Sequence, residues 1–127
     1  MKQIIMVVAV ILAFFGSSGA KETFKGLSVG SYLKSRETGD ASFEMTKSFI
    51  NGVADGYGWA NIDAEANWDK QFFCPPEHLA VFQDNYLEIL DAYIEKNKSW
   101  LAEDTPIQPV MMRSLIETYP CENGQSQ

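Results

Sequence analysis

Two cysteines punctuate a chain otherwise patterned for helices: Cys74 in Phe73-Cys74-Pro75-Pro76 and Cys121 in Tyr119-Pro120-Cys121. They follow a leader built as export signals are, with a positive Lys2, an apolar run from Ile4 to Phe15 and small residues from Gly16 to Ala20. Cleavage after Ala20 places Ser18 and Ala20 where a signal peptidase needs small side chains. The run falls well short of the roughly 20 apolar residues a spanning helix requires, so the reading is a removed leader over 1–20 without stable membrane insertion. One domain over 21–127 remains. In an oxidising compartment the expectation for two cysteines in so small a domain is a disulfide; the other reading is two buried free thiols.

Helical periodicity fills most of that domain. Phe43, Phe49, Ile50, Val53, Ala54 and Tyr57 recur at steps of three and four, which predicts a helix over Ala41 to Ala60. Gly52, Gly56 and Ala60 fall four apart on it, a spacing that predicts close approach by another helix of a soluble bundle. Each glycine weakens the helix by roughly 1 kcal/mol relative to alanine, which packing would have to offset. Phe82, Tyr86, Ile89, Leu90, Tyr93 and Ile94 predict a second helix that starts after Pro76 and fades near Asn97. A third is expected from Thr105 to Pro120, with Thr105 and Gln108 as a capping box, Pro106 in the first helical position and Ile107, Met111 and Leu115 along one stripe. A shorter amphipathic segment lies near Leu27 to Lys34, and no run alternates as a strand does. The fold class that follows is all-α, a small bundle of about four helices.

This pattern gives the cysteines a geometric meaning. Consecutive helices joined by a short connection run antiparallel, so the entry of the second helix and the exit of the third lie together. A Cys74–Cys121 bridge would staple the bundle there, closing a loop of about 48 residues and contributing roughly 4 kcal/mol by chain-entropy arguments.

Charge and chemistry narrow the function classes. Seventeen acidic residues face ten basic ones, a net charge of −7 that becomes −8 once Lys2 leaves with the leader. Such a chain, without basic clusters, does not suit nucleic acid or anionic lipid and better suits a protein partner. His78, the only histidine, lies near Cys74, but prolines intervene and the disulfide reading removes the thiol, so it is read as a surface or helix-entry residue. Asp63, Glu65 and Asp69 lack the glycine and ordered spacing of a calcium loop, and no phosphate-binding loop or acid–base pair stands out. The expectation is a protein that is not an enzyme, with no catalytic residues, no metal and no cofactor. Asn97-Lys98-Ser99 matches a glycosylation acceptor, a pattern that arises often by chance.

The candidate partner-binding residues sit in the stretch from Asn61 to Phe73, thirteen residues read as a long connection. Trp68 among Asp63, Glu65 and Asp69 offers an aromatic anchor within a charged rim. Phe72 and Phe73 are expected to cap the core beside the disulfide, and Trp59 and Trp100 to pack at helix ends.

The succession Phe49-Ile50-Asn51-Gly52-Val53-Ala54-Asp55-Gly56, then Phe73-Cys74-Pro75-Pro76-Glu77, Gln83, and Leu115-Ile116-Glu117-Thr118-Tyr119-Pro120-Cys121 resembles the Rap/Tai-type immunity proteins of bacterial type VI secretion systems. It spans about Ser42 to Cys121, and this chain lacks the extra cysteines many relatives carry in the early helices. The resemblance implies a helical, disulfide-bonded periplasmic protein that blocks a secreted peptidoglycan amidase by occupying its active-site cleft, and it allows a homodimer. The alternative reading is a periplasmic, acid-activated chaperone-like module, since seventeen acidic groups lose much charge on acidification.

Overall fold

The computed structural model describes residues 26–76 and 83–122, apart from the side chains of Gln83 and Asp84. The leader, His78 and the expected helix start at Phe82 lie outside the described residues. Among the described residues four helices, α1 (Val29–Thr38), α2 (Ala41–Trp68), α3 (Gln83–Asn97) and α4 (Ile107–Thr118), make a small all-α bundle stapled by a Cys74–Cys121 disulfide. Among the described residues there is no helix long and apolar enough to cross a membrane.

Local chemistry sets the helix ends. Ser28 caps α1 by accepting from the Ser31 amide, and the chain leaves that helix through Gly39 at φ 61°, a left-handed conformation glycine adopts at no steric cost. Asp40 at once caps α2 by accepting from the Ser42 amide at 2.8 Å, so α1 and α2 form a tight hairpin. The Ser42 hydroxyl, and then its amide, donate to the Asp40 carboxylate and hold it below its ordinary range.

The helix expected to end at Ala60 runs on to Trp68, 28 residues in all, or about 42 Å. The stretch from Asn61, expected as a connection, is helical because its inward stripe is carried by small or polar residues that still keep the helical period. Ile50, Ala54, Asn61 and Ala64 are all buried, and the last two continue the helical period without adding a large apolar side chain. The groove expected at Gly52, Gly56 and Ala60 is also corrected. All three are exposed, and a Cβ added at either glycine would meet nothing within 4 Å. They lie on the outer face of α2.

Close packing occurs instead at Gly30. A Cβ there would come within 3.0 Å of the Glu103 Cβ and 3.2 Å of the Glu103 carbonyl oxygen, to which the Gly30 amide donates at 2.8 Å. The Val29 amide donates to the Thr105 carbonyl at 2.9 Å, and the Ile107 amide to the Leu27 carbonyl at 3.0 Å. Amides that helix starts leave unpaired are thus satisfied by two chain segments exchanging bonds around a Ser28–Pro106 bridge. This exchange replaces the expected capping box. No side-chain bond caps α4, Pro106 precedes its first helical residue, and the Gln108 Oε1 is buried without a partner.

The core gathers side chains from every helix: Tyr32, Ile50, Leu90, Ile107, Met111 and Leu115 are among those fully buried. Phe73 joins it, whereas Phe72 is half exposed. Trp59 and Trp100, expected to pack, are 73% and 57% exposed. The expected antiparallel geometry brings Cys74 to Cys121, and the Cys74 amide donates to the Tyr119 carbonyl at 2.8 Å beside the bridge.

Tyr32 ties α1 to α3. Its hydroxyl donates to Asp91 at 2.6 Å, and Arg36 pairs with the same carboxylate. Burial pushes the phenol pKa well above its ordinary value, and the bond and charge of Asp91 act in the same direction. Tyr57, Tyr86 and Tyr119 are also raised, chiefly by burial. A group whose pKa is higher folded than unfolded contributes stability that is full below the unfolded value, about pH 10 for tyrosine, and lost as pH rises above it. Urea midpoints should therefore fall from about pH 10 upwards, at up to about 1.4 kcal/mol per pH unit for each tyrosine still protonated in the fold. Tyr32→Phe should make that decline shallower by about one proton, read from the pH dependence of unfolding free energy.

Candidate partner-binding surface

The last two turns of α2 and the segment after it combine rigidity with exposure. Asn61, buried at the inner face, holds that segment with three bonds. Its Oδ1 accepts from the Phe72 amide at 2.7 Å and the Phe73 amide at 3.2 Å, while its Nδ2 donates to the Phe73 carbonyl at 2.8 Å. One asparagine side chain thereby does for an extended segment what a neighbouring strand would do. The disulfide fixes the next residue, Cys74. Asp69 ends the helix in the left-handed conformation at φ 53°, which aspartate tolerates better than most residues, and its amide closes onto the Glu65 carbonyl at 3.1 Å.

Asp63, Glu65, Trp68 and Asp69 are all exposed on this end. They are not a loop cluster: three occupy the helix and Asp69 caps it. Nor do they share one face. Asp63 continues an outward stripe, whereas Trp68 falls in helical register with the core-facing Ile50, Ala54 and Asn61 and is exposed because packing on that side stops at Ala64. The Asp63 Oδ1 accepts from Asn67 at 2.8 Å and the Glu65 Oε2 from Gln71 at 2.6 Å. The ion pairs among the described residues, Arg36–Asp91, Lys47–Glu44, Lys96–Glu117 and Lys98–Glu95, leave all three of these acids out. Their charge faces solvent.

Sequence reasoning missed the outward stripe itself. Met45, Phe49, Gly52, Gly56, Trp59 and Asp63 succeed one another at steps of four and three, and all are exposed, Met45 at 76%. The signal was present: α2 carries a second apolar stripe in addition to the one that builds the core, and a helix with two such stripes has one more apolar face than its own fold uses.

Both cysteines are in the disulfide, and among the described residues no group of three or more His, Cys, Asp or Glu side chains is placed to hold a metal ion. Comparison with family models, curated proteins and solved structures finds no match for the chain.

Asn61→Ala removes all three bonds to the segment before the disulfide. It should cost about 2–3 kcal/mol in urea unfolding. Amide exchange at Phe72 and Phe73 should accelerate more than in α3 or α4; uniform acceleration would show that Asn61 acts on the whole fold rather than on this segment.

Proposed function

We propose that this chain is an exported immunity-type binding protein that blocks a type VI-secreted peptidoglycan amidase in the periplasm by occluding its active-site cleft. The observation that carries the reading is the end of α2, where Trp68 and three carboxylates, in no ion pair among the described residues, stand exposed beside a segment pinned by Asn61 and the disulfide. The export-type leader and the resemblance to the Rap/Tai immunity proteins support the compartment and the target class.

An inhibitor of this kind needs no chemistry of its own. A pinned surface loses little conformational freedom on docking, so more of the contact free energy appears as affinity. Trp68 supplies a large apolar anchor, and Asp63, Glu65 and Asp69 attract a basic cleft and speed encounter. A homodimer fits the outward stripe of α2. In an antiparallel pair about a two-fold axis between Gly52 and Gly56, the glycines face one another and each Phe49 meets the partner's Trp59, a self-complementary isologous contact. The same register sets Met45 against the partner's Asp63, so the dimer would cover Asp63 and leave Glu65, Trp68 and Asp69 free. Sedimentation at about 100 μM should then give a dimer that Gly56→Glu converts to monomer, and a monomeric parent chain would remove the pairing.

The central test uses purified exported amidases, first any encoded beside this chain. The parent chain should bind one of them tightly near neutral pH and abolish peptidoglycan hydrolysis. Asp63→Asn, Glu65→Gln, Trp68→Ala and Asp69→Asn together should weaken binding at least about 100-fold, with the fold intact by circular dichroism. Undiminished affinity in that variant would remove these residues from the interface. Protection of unrelated clients from aggregation at low pH, without amidase binding, would transfer the reading to an acid-activated chaperone.

A further inference from the structure

At the end of the bundle away from the disulfide, the α3–α4 connection encloses a cleft of about 200 Å³. Asn97, the last residue of α3, organises it. Its Nδ2 donates to the Tyr93 carbonyl at 2.8 Å, and its Oδ1 accepts from the Trp100 Nε1 at 3.1 Å. The Trp100 and Leu101 amides both donate to the Asn97 carbonyl at 3.1 Å. The asparagine of the Asn97-Lys98-Ser99 pattern is therefore engaged in holding the connection. It is half-buried and poorly placed to receive a glycan.

Its most visible product is Trp100, an indole more than half exposed yet fixed at its ring nitrogen and its backbone. It lines the cleft with the buried Tyr93 and Val110, the half-buried Leu101 and Thr105, and the exposed Arg113. Arg113 is the unusual member. In a chain of net charge −7, the described ion pairs take up Arg36, Lys47, Lys96 and Lys98, and none involves Arg113. Glu117, one turn along α4, is already paired with Lys96. Glu103 and Asp104 belong to the same connection but do not line the cleft. Thr105 also lines it, and its hydroxyl makes no hydrogen bond among the described residues.

We infer that this cleft binds a small carboxylic acid with a flat or branched apolar body. The body lies against Tyr93, Leu101 and Val110 beside the Trp100 ring, and the carboxylate pairs with the Arg113 guanidinium, with the Thr105 hydroxyl as a second donor. Charge complementarity selects an anion, because the guanidinium beside an apolar wall pairs with no carboxylate among the described residues. Volume selects a small one: the cleft is below the roughly 300 Å³ at which drug-sized ligands are commonly held. The site is independent of the immunity reading, lying at the opposite end of α3 and α4 from the acidic surface.

The test uses the full mature chain with Trp59→Phe and Trp68→Phe, which leaves Trp100 as its one tryptophan. Its fluorescence is titrated with 3-phenylpropionate and 4-methylpentanoate, with the amide of each, and with a tripeptide ending in phenylalanine. The acids should saturate with a Kd of about 0.1–1 mM, in keeping with their few heavy atoms. The amides should bind about 10-fold more weakly, and Arg113→Gln should weaken the acids by the same factor while leaving the amides unchanged. No saturation of either acid by about 20 mM, equal binding of acid and amide, or acid affinity indifferent to Arg113→Gln would each overturn the inference. Tighter binding of the tripeptide than of the free acids would overturn it as well, because the occupant would then be a protein tail.

Discussion

The Cys74–Cys121 bond divides the fold into what is covalently closed and what is only packed. The loop it closes contains α3 and α4 and spans 47 positions of sequence. Chain-entropy arguments assign such a loop roughly 4 kcal/mol, a large share of the 5–15 kcal/mol that separates an ordinary domain from its unfolded state. α1 and α2 lie outside the loop and depend on it. α1 gives its first amides to the connection between the closed helices and its Tyr32 hydroxyl to Asp91 of α3. α2 lays Ile50 and Ala54 into the shared core and then, through Asn61, grips the segment that enters the bridge. Without the closed α3–α4 hairpin, neither outer helix would have a preformed partner.

This dependence explains why α2 can be so long and so incompletely covered. A helix of 28 residues would ordinarily be held along its length, but here the inner stripe carries the packing while the outer one leaves Met45, Phe49 and Trp59 in water. Gly52 and Gly56 add an expense of roughly 1 kcal/mol each in helix propensity with no intramolecular contact in return. A surface that keeps large apolar side chains beside bare backbone is suited to another helix or a partner edge, for which missing side chains allow close approach. The fold carries that cost because the closed hairpin and the inner stripe stabilise it elsewhere.

Where the sequence was legible, the same physical signal recurred without competition. Tyr86, Leu90, Tyr93 and Ile94, with Ile107, Met111 and Leu115, set large apolar residues at helical steps, and α3 and α4 follow them closely. Pro120 marks the end of α4 after Thr118, and the ends of the hairpin then bring the sulfurs together. Legibility failed where small or polar residues carried the packing. Asn61 and Ala64 continue the inner stripe of α2 without a hydrophobic signal, so two helical turns read as a connection, and Phe72 and Phe73 look alike in sequence although the extended segment that Asn61 holds by both amides turns Phe73 inward and leaves Phe72 half exposed. It failed again at the start of α4, where a local capping pattern was overridden by amides and carbonyls from a segment some eighty residues earlier. Pairing of that kind leaves no periodic trace in sequence. The four candidate binding residues were legible as exposed, but their division between two sides of a helix was not, because it depends on α2 continuing through them.

The two ends of the α3–α4 hairpin then acquire different characters from one constraint. At the bridged end the backbone is fixed by a covalent bond and by Asn61, so acidic side chains can face solvent without salt bridges to anchor them. At the other end there is no bridge, and the connection is held by Asn97 and by its exchange of bonds with α1. There rigidity comes from hydrogen bonds that engage an asparagine and an indole, and the fixed indole necessarily forms a wall beside the first turns of α4. The exposed acids of α2 gather near the bridged end of the hairpin and Arg113 lines the cleft at its other end, and among the described residues neither takes part in an ion pair, so each keeps its charge available to other molecules.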